Sequence, residues 1–285
     1  LLFFIARFIA GRSIKPISAI IETSNIITKD NLKSRIPLPN KKDELYIFSK
    51  TINNLLNRIE NAVEREKQFT SDASHELRTP LTVIKGTLEV LIRKPRNNEE
   101  YQEKINYCIT EVNRLNNIVD QLLILARYEN QKQSVKIEKV CMNAILIDTI
   151  SRFTTGIESK KIKVITQFAN DIYINSDHYL VSIIINNLVS NAIKYSEFNG
   201  QLTIHLSQKD GKVSCKISDL GIGIPQDDMQ KIFNAFYRSP STDHLKSTGT
   251  GLGLSIVQRL CELLKIEITI SSQENLGTDV KLLFN

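Results

Sequence analysis

The first half of the chain has the hydrophobic pattern of long amphipathic helices. Over residues 44–91 apolar side chains recur every three or four positions, with one polar interruption at Glu66. The polar segment 94–98 ends this stripe. A second stripe consists of Ile105, Cys108, Val112, Leu115, Val119, Leu122 and Ala126. Two antiparallel helices joined by a short connection predict a helical hairpin. Because the two stripes leave an apolar seam exposed on the hairpin, we predict that a second copy covers it and that the two copies form a dimeric four-helix bundle.

After about residue 131 short β-branched runs alternate with helical stretches. The clearest helices are predicted at 179–195 and 252–264. This mixture over some 150 residues predicts one α/β sandwich. The predicted strands cover residues 135–140, 162–165, 201–206, 212–218, 266–270 and 279–284.

The chain begins with an apolar stretch, residues 1–10, interrupted only by Arg7. A helix of this length covers about 15 Å, half of the hydrocarbon core of a bilayer. It is either an amphipathic cap or the inner end of a membrane-spanning helix, and we favour the second because Arg7, Arg12 and Lys15 satisfy the positive-inside rule. A short helix over 17–27 and a connector over 29–43 follow. The next helix is predicted to begin at Asp43-Glu44, because acidic residues are favourable at a helix N-terminus.

Composition excludes several classes of protein. With 41% hydrophobic and 24% charged residues, the chain is neither disordered nor collagen-like, and its four cysteines are widely spaced. The net charge of +6 would suit nucleic acid, but the basic residues are scattered and form no stripe, so we expect no direct nucleic-acid binding.

His75 is the histidine with a distinctive setting. Ala73 and Leu77 lie on the apolar stripe, each two positions away, so on a helix the imidazole points away from the packed face. An exposed neutral imidazole is a nucleophile. Glu76 can accept its Nδ1 proton, and Thr79 lies one turn on, where its hydroxyl can orient a water molecule. The other three histidines are expected at the surface.

Two glycine-rich runs suggest phosphate binding. They occupy residues 219–225 (DLGIGIP) and 249–255 (GTGLGLS), and the second opens a predicted helix whose N-terminus favours anions. Neither is a P-loop or a dinucleotide fingerprint. Along a third segment, four polar residues follow one side of a predicted helix: Asn187, Asn191, Lys194 and Tyr195. Amide oxygens suit Mg²⁺, and a lysine can neutralise phosphate charge.

These clusters, in this order, resemble those of the sensor histidine kinases of two-component systems. Residues 69–81 look like the H box, 187–195 the N box, 219–225 the first glycine box, 232–238 the F box, and 249–255 the second glycine box. The preceding segment is similar to a HAMP adapter, a parallel coiled coil in the dimer. The resemblance implies a Bergerat-type ATP-binding domain of the GHKL superfamily.

Carried onto this sequence, the resemblance implies that His75 receives the γ-phosphoryl group of ATP. Glu76 would orient or activate His75, and Arg78 and Thr79 would complete the catalytic set. Asn187 and Asn191 would hold Mg²⁺, and Asp219 would read the adenine amino group. The remaining nucleotide-binding residues would be Lys194, Tyr195, Gly221, Gly223, Ile224, Phe236, Arg238, Gly249, Thr250, Gly251, Leu252, Gly253 and Leu254. The polar segment 239–248 corresponds to the ATP lid of the family.

The expected architecture is multidomain, α followed by α+β. We place the end of a membrane helix at 1–11, a HAMP-like adapter at 12–63, the dimerisation and phosphotransfer domain at 64–131, and the ATP-binding domain at 132–285. The implied partners are a second copy, the receiver domain of a response regulator, and the bacterial inner membrane, with this portion in the cytoplasm. Two departures from the family pattern concern Asn234-Ala235 in the F box and Tyr46 in the adapter.

Three other functions compete with autophosphorylation and phosphotransfer to the regulator. A non-enzymatic membrane scaffold is disfavoured by the complete set of motifs, and a nucleic-acid-binding protein by the scattered charge. A chiefly phosphatase-acting kinase relative, using Thr79, stays open because both activities can coexist.

Overall fold

A computed structural model describes residues 20, 21, 23, 28, 31–129, 135–168, 170–240 and 249–284. These residues fall into two compact units, one up to Ser74 and one from His75 onward. The predicted membrane-helix end, most of the predicted helix 17–27, and His244 lie outside the described residues. Within the described part, no helix has both the length and the apolar character needed to cross a membrane.

Helix α1 runs from Glu44 to Ile92 and α2 from Asn98 to Glu129. Both boundaries agree with the sequence: α1 begins at the predicted acid, and the segment with Pro95 separates the two helices. Pro80 lies inside α1, which continues through it. The amide side chain of Asn97 caps α2, because its Oδ1 accepts the N–H of Glu100 at 2.7 Å.

In the first unit, the connector after residue 31 is tied to α1 by polar contacts. Both backbone groups of Ile36 bind the Asn53 amide, with N···O distances of 2.9 Å. The Arg35 guanidinium donates to Asn57 and forms an ion pair with Glu60. Ile36 is 1% exposed, so the connector buries an apolar side chain while its polar groups are satisfied.

In the hairpin, the inward faces of α1 and α2 do not coincide fully with the predicted stripes. Leu91, Cys108 and Ile118 are buried, and Ile118, which the predicted stripe omits, is 0% exposed. Val112 and Val119 belong to the predicted stripe but are each 43% exposed. The stripe is therefore wider than a single seam: one part is buried within the chain and the other faces outward.

The second half is an α/β sandwich, as predicted. The strands are β1 (Glu138–Cys141), β2 (Lys163–Phe168), β3 (Tyr173–Ser176), β4 (Gln201–Lys209), β5 (Lys212–Asp219), β6 (Glu267–Gln273) and β7 (Gly277–Phe284). The helices are α3 (Met142–Arg152), α4 (Thr154–Ser159), α5 (His178–Tyr195) and α6 (Gly253–Leu264). All six predicted strands are present, whereas β3 was not predicted.

Five strands form one sheet in the order β2-β4-β5-β7-β6, with β2 parallel to β4 and the other neighbours antiparallel. A small antiparallel pair, β1 and β3, lies apart. Along β4 the residues Leu202, Ile204 and Leu206 are buried, and the alternate residues are less so. Burial of each such side chain contributes about 1.5–3 kcal/mol.

Helix α5 is the central helix of the domain and contacts α3, α6 and β5. Asp177 caps its N-terminus, because Oδ1 accepts the Leu180 N–H at 3.1 Å. One face carries Leu180, Ile184 and Leu188, each at most 2% exposed. This burial fixes the rotation of α5 and therefore the direction of its polar side.

Candidate functional site

A cavity opens between the polar side of α5, the end of β5 and the N-terminal part of α6. It encloses about 790 Å³, including the part open to solvent. Its apolar wall includes Ile217, Ile270 and Val280 from three neighbouring strands. The polar lining residues come from separated segments of the chain: Asn191, Tyr195, Asp219, Thr278, Tyr237, Arg238 and Ser239. A mostly apolar cleft with a few convergent polar groups is typical of a small-molecule site.

Asp219 ends β5 at the base of this cavity. Its Oδ1 accepts the N–H of Gly221 at 3.0 Å. Burial raises the pKa of its carboxyl to about 6, although backbone hydrogen bonds from Gly221 and Thr278 oppose that rise. The carboxylate is therefore a hydrogen-bond acceptor in partly dehydrated surroundings, where a ligand amino group would be bound more strongly than in water.

Lys194, which we predicted to neutralise phosphate charge, lies beside Tyr195. Lys194 Nζ lies over the ring of Tyr195, 4.8 Å from its centroid. Burial, and secondly the charge of Arg238, lower the pKa of Lys194 to about 8. Burial also raises the pKa of the Tyr195 hydroxyl, with Arg238 acting in the opposite direction. Both cations therefore act on the same end of the cavity.

At two glycines of the glycine boxes, the backbone of another segment lies too close to leave room for a side chain. Gly223 has φ +67°, and a Cβ there would lie 2.0 Å from the carbonyl oxygen of Gln273. Gly251 has φ +74°, and a Cβ would lie 2.6–2.8 Å from backbone atoms of Phe236. Side chains at these positions would meet both strain and a clash, so glycine is required for local reasons.

The second glycine box meets the N box and the hairpin. A Cβ on Gly249 would lie 2.1 Å from Lys194 Nζ, and one on Gly253 would lie 2.8 Å from Asn187 Oδ1. The Thr250 hydroxyl donates to Gln121 of α2 at 2.7 Å. Leu252 is 0% exposed, and its N–H donates to the Thr250 hydroxyl at 3.2 Å, so this residue belongs to the core that supports the second glycine box.

The remaining predicted binding residues occupy three kinds of position. Ile224 and Leu254 line the cavity, and the Ile224 N–H donates to Ser272 Oγ at 2.9 Å. Gly221 forms an isolated bridge with Ser196. Phe236 contributes its backbone, because its N–H donates to the carbonyl of Gly251 at 3.1 Å.

His75 is exposed on α1, as its position relative to the apolar stripe predicts. The hydroxyl of Thr79 donates to the backbone carbonyl of His75 at 3.1 Å. The carboxylate of Glu76 lies 3.7 Å from Arg114 of α2 in an ion pair. Arg78 is exposed. The imidazole is thus accessible, while the carboxylate predicted to activate it is directed toward a neighbouring helix.

Among the residues that the structure describes, no three His, Cys, Asp or Glu side chains form a metal-binding group. The predicted Mg²⁺ ligands are instead the amides of Asn187 and Asn191 on one side of α5. Asn191 lines the cavity, and Asn187 Oδ1 faces the start of α6 at Gly253. Two amide oxygens fit an ion that completes its coordination with water and phosphate oxygens.

Several residues of the site were not predicted from the sequence. Tyr237 and Ser239 line the cavity and both donate to Asp228, which the motifs did not single out. The Lys160 ammonium binds three carbonyl groups at the end of α5. These partners are 9 to 36 positions apart in sequence, beyond the reach of periodicity.

The chain combines a helical hairpin that exposes a histidine with an α/β domain that contains this cavity. This combination is typical of proteins that join a phosphotransfer domain to a nucleotide-binding domain. Residues 176–285 match the family described as histidine kinase-, DNA gyrase B-, and HSP90-like ATPase. Residues 65–131 match the His Kinase A (phospho-acceptor) domain. The chain belongs to the sensor histidine kinase family.

The curated relatives carry the same designation. The signal transduction histidine-protein kinase ArlS of Staphylococcus haemolyticus is 28% identical over 280 residues, which are 95% of this chain and 60% of that protein. ArlS of Staphylococcus aureus strain USA300 is 29% identical with the same coverage. The chain thus spans about 60% of the length of these relatives.

Solved structures share the fold. Histidine kinase AdeS of Acinetobacter baumannii is 25% identical, with a TM-score of 0.58 over 74% of this chain and 97% of that chain. Histidine kinase ThkA, in complex with response regulator protein TrrA, is 23% identical with a TM-score of 0.61 over 80% of this chain and 65% of that one. ShkA, in complex with AMPPNP, is 22% identical with a TM-score of 0.56 over 76% of this chain and 45% of that one.

Proposed function

We propose that this chain is the catalytic part of a sensor histidine kinase. It binds Mg²⁺-ATP, transfers the γ-phosphoryl group to His75, and passes that group to an aspartate in the receiver domain of a response regulator. The observation that carries the proposal is the convergence of four separated motifs on one cavity, with Asp219 at its base, in a chain that also exposes His75. The ShkA complex with AMPPNP supports a nucleotide in this fold.

In the proposed complex the adenine lies against the apolar wall and donates its amino group to Asp219. Arg238 and Lys194 face the phosphates. With a pKa of about 8, Lys194 is mainly protonated at neutral pH and can neutralise phosphate charge. Helix α6 has no side-chain cap at its N-terminus, so its first N–H groups are available to an anion.

The amides of Asn187 and Asn191 would hold Mg²⁺. When bound, the ion neutralises charge on the phosphates and orients them. Asn187 donates its amide N–H to the Ile183 carbonyl at 2.9 Å, which leaves Oδ1 as the ligand atom. This hydrogen bond fixes the orientation of the amide before any ion arrives.

At His75, Nε2 attacks the γ-phosphorus while the bond to the bridging oxygen breaks and its electron pair leaves with ADP. Glu76 accepts the Nδ1 proton as positive charge develops on the ring. In the present structure Arg114 neutralises Glu76, so this role requires the 3.7 Å ion pair to loosen. Thr79 and the exposed Arg78 would act on a docked receiver domain, including in a phosphatase reaction.

We further propose a homodimer, formed through the outward part of the hairpin stripe. Leu88, Val112 and Val119 are 43–46% exposed there, and a second copy would remove them from water. Phosphotransfer to a response regulator is supported by the ThkA complex with TrrA. A HAMP-like adapter at 12–63 and anchoring of this chain to the bacterial inner membrane through residues 1–11 belong to the same proposal.

The proposal is tested by following phosphate from ATP to a receiver domain. The full chain is incubated with labelled ATP and Mg²⁺, freed of nucleotide, and mixed with purified receiver domains from the same genome. We expect rapid label transfer to one receiver and none to its Asp→Asn variant. A chain that takes up no label, or that labels receivers equally well after His75→Gln, would contradict the proposal.

A further inference from the structure

Asp228 joins the two residues that flank Arg238. Its Oδ1 accepts the hydroxyl of Tyr237 at 2.6 Å, and its Oδ2 accepts the hydroxyl of Ser239. Asp228 is 8% exposed, which is unusual for a carboxylate unless its oxygens are hydrogen-bonded. One side chain therefore holds the backbone on both sides of a single arginine.

The bonds from Ser239 and Tyr237 also keep Asp228 ionised. They lower the pKa of its carboxyl, with the Ser239 bond as the larger cause. The Asp228 bond correspondingly raises the pKa of the Tyr237 hydroxyl to about 12. At neutral pH both groups are thus in the protonation states that the hydrogen bond requires, a neutral phenol donating to a carboxylate.

The backbone before Arg238 is in an unfavourable conformation. Phe236 has φ +63°, in the left-handed region that non-glycine residues rarely adopt. Its N–H donates to the Gly251 carbonyl at 3.1 Å, and the Tyr237 N–H donates to Asn234 at 3.2 Å. Such a turn persists when surrounding contacts hold it, and Asp228 supplies two of these contacts.

Arg238 lines the cavity, as do both of its neighbours. Burial lowers the pKa of Lys194 and the Arg238 charge adds to that effect, while burial raises the pKa of Tyr195 and the Arg238 charge opposes it; the guanidinium therefore acts electrostatically on this side of α5. The direction in which Arg238 leaves the backbone consequently determines how much positive charge reaches this end of the cavity.

We propose that Asp228 is a positioning residue for nucleotide binding: by holding Tyr237 and Ser239, it fixes the turn that directs Arg238 toward the phosphates. This inference rests on the proposed function, because it requires a phosphate-bearing ligand. It predicts that Asp228 affects the affinity for ATP only when Arg238 is present. A carboxylate that merely stabilises its own turn, for example through Lys231 at 3.9 Å, would have no such dependence.

The test is a double-mutant cycle on the full chain. Affinities for ATP and for adenosine are measured by titration calorimetry in the wild type, Asp228→Asn, Arg238→Ala and the double variant. Asp227→Asn is the matched control, because Asp227 is the exposed neighbour. Thermal unfolding is recorded for every protein, and the combined variant Tyr237→Phe/Ser239→Ala replaces Asp228→Asn if the latter does not fold.

We expect Asp228→Asn to weaken ATP binding about tenfold and to change adenosine binding by less than about twofold. In the Arg238→Ala background it should cause no further loss of ATP affinity. Equal losses in both backgrounds, or equal losses for ATP and adenosine, would overturn the positioning role. If the wild type bound no ATP at all, the proposed function would fail and this inference with it, so the two failures are distinguishable.

Discussion

Replacement of Lys160 by Met should loosen the end of the helix that carries the N box. The Lys160 ammonium donates to the carbonyls of Ile193, Lys194 and Ser196 at 3.0, 2.6 and 2.9 Å. Carbonyl groups in the last turn of a helix lack partners within the helix. Lys160 therefore acts as a side-chain cap on α5, beside two of the residues assigned to the nucleotide.

The size of the effect follows from opposing contributions. A hydrogen bond from a charged donor contributes about 1.5–3 kcal/mol, and a cation at a helix C-terminus adds about 0.3–1 kcal/mol. Burial and repulsion from Lys194 oppose the ammonium, since both lower the pKa of Lys160. Water can also replace part of the lost bonding at this half-exposed position. We therefore expect a net loss of about 1–2 kcal/mol.

The assay is thermal unfolding of the full chain, followed by titration with ATP. A loss of this size lowers the Tm of a domain of this length by about 2–8 °C. Lys163→Met is the control, because Lys163 is an exposed lysine three positions away. Lys160→Met should also weaken ATP binding, since Lys194 and Tyr195 lose their fixed backbone. Equal Tm values for the two variants would refute the capping argument.

Two further substitutions test the cavity. Gly251→Ala places a Cβ 2.6–2.8 Å from the Phe236 backbone at φ +74°, so we expect a loss of more than about 1 kcal/mol in chemical denaturation and failure to bind ATP. Asp219→Asn tests the raised pKa of about 6. Because folding raises this pKa, Asp219 favours the folded state below its ordinary pKa and loses that contribution as pH rises through about 6. Between about pH 4 and pH 7 the unfolding free energy of the wild type should therefore fall relative to that of Asp219→Asn, by up to about 3 kcal/mol. The variant should also bind ATP more weakly. Parallel pH profiles of the two unfolding free energies would show that the pKa of this carboxyl is not raised.

The sequence allowed the elements with strong local signals to be predicted. The acid at the start of α1 and the break near Pro95 predicted the hairpin, and alternation predicted the long strands of the sheet. Strand β3 has only four residues and pairs with β1 more than thirty positions earlier, so its own pattern was too short to detect. Ile118 was omitted because one heptad stripe describes a helix with one partner, whereas α2 has an inward and an outward apolar face.

At the candidate site, the motifs predicted part of the cavity lining but not the residues that support it. Asn191, Asp219 and Arg238 lie in recognisable segments and line the cavity. Asp228 and Lys160 act through hydrogen bonds formed only after the chain has folded. Nor did spacing show that Glu76 pairs with Arg114, because that contact depends on how α1 and α2 pack.

The central claim is that His75 receives the γ-phosphoryl group of ATP. The most direct measurement incubates the full chain with Mg²⁺ and ATP labelled at the γ-phosphate, then exposes the protein to acid and, separately, to alkali. We expect label that acid removes and alkali does not, and no label in His75→Gln although that variant still binds ATP. Label that survives acid, or that persists in His75→Gln, would contradict the account.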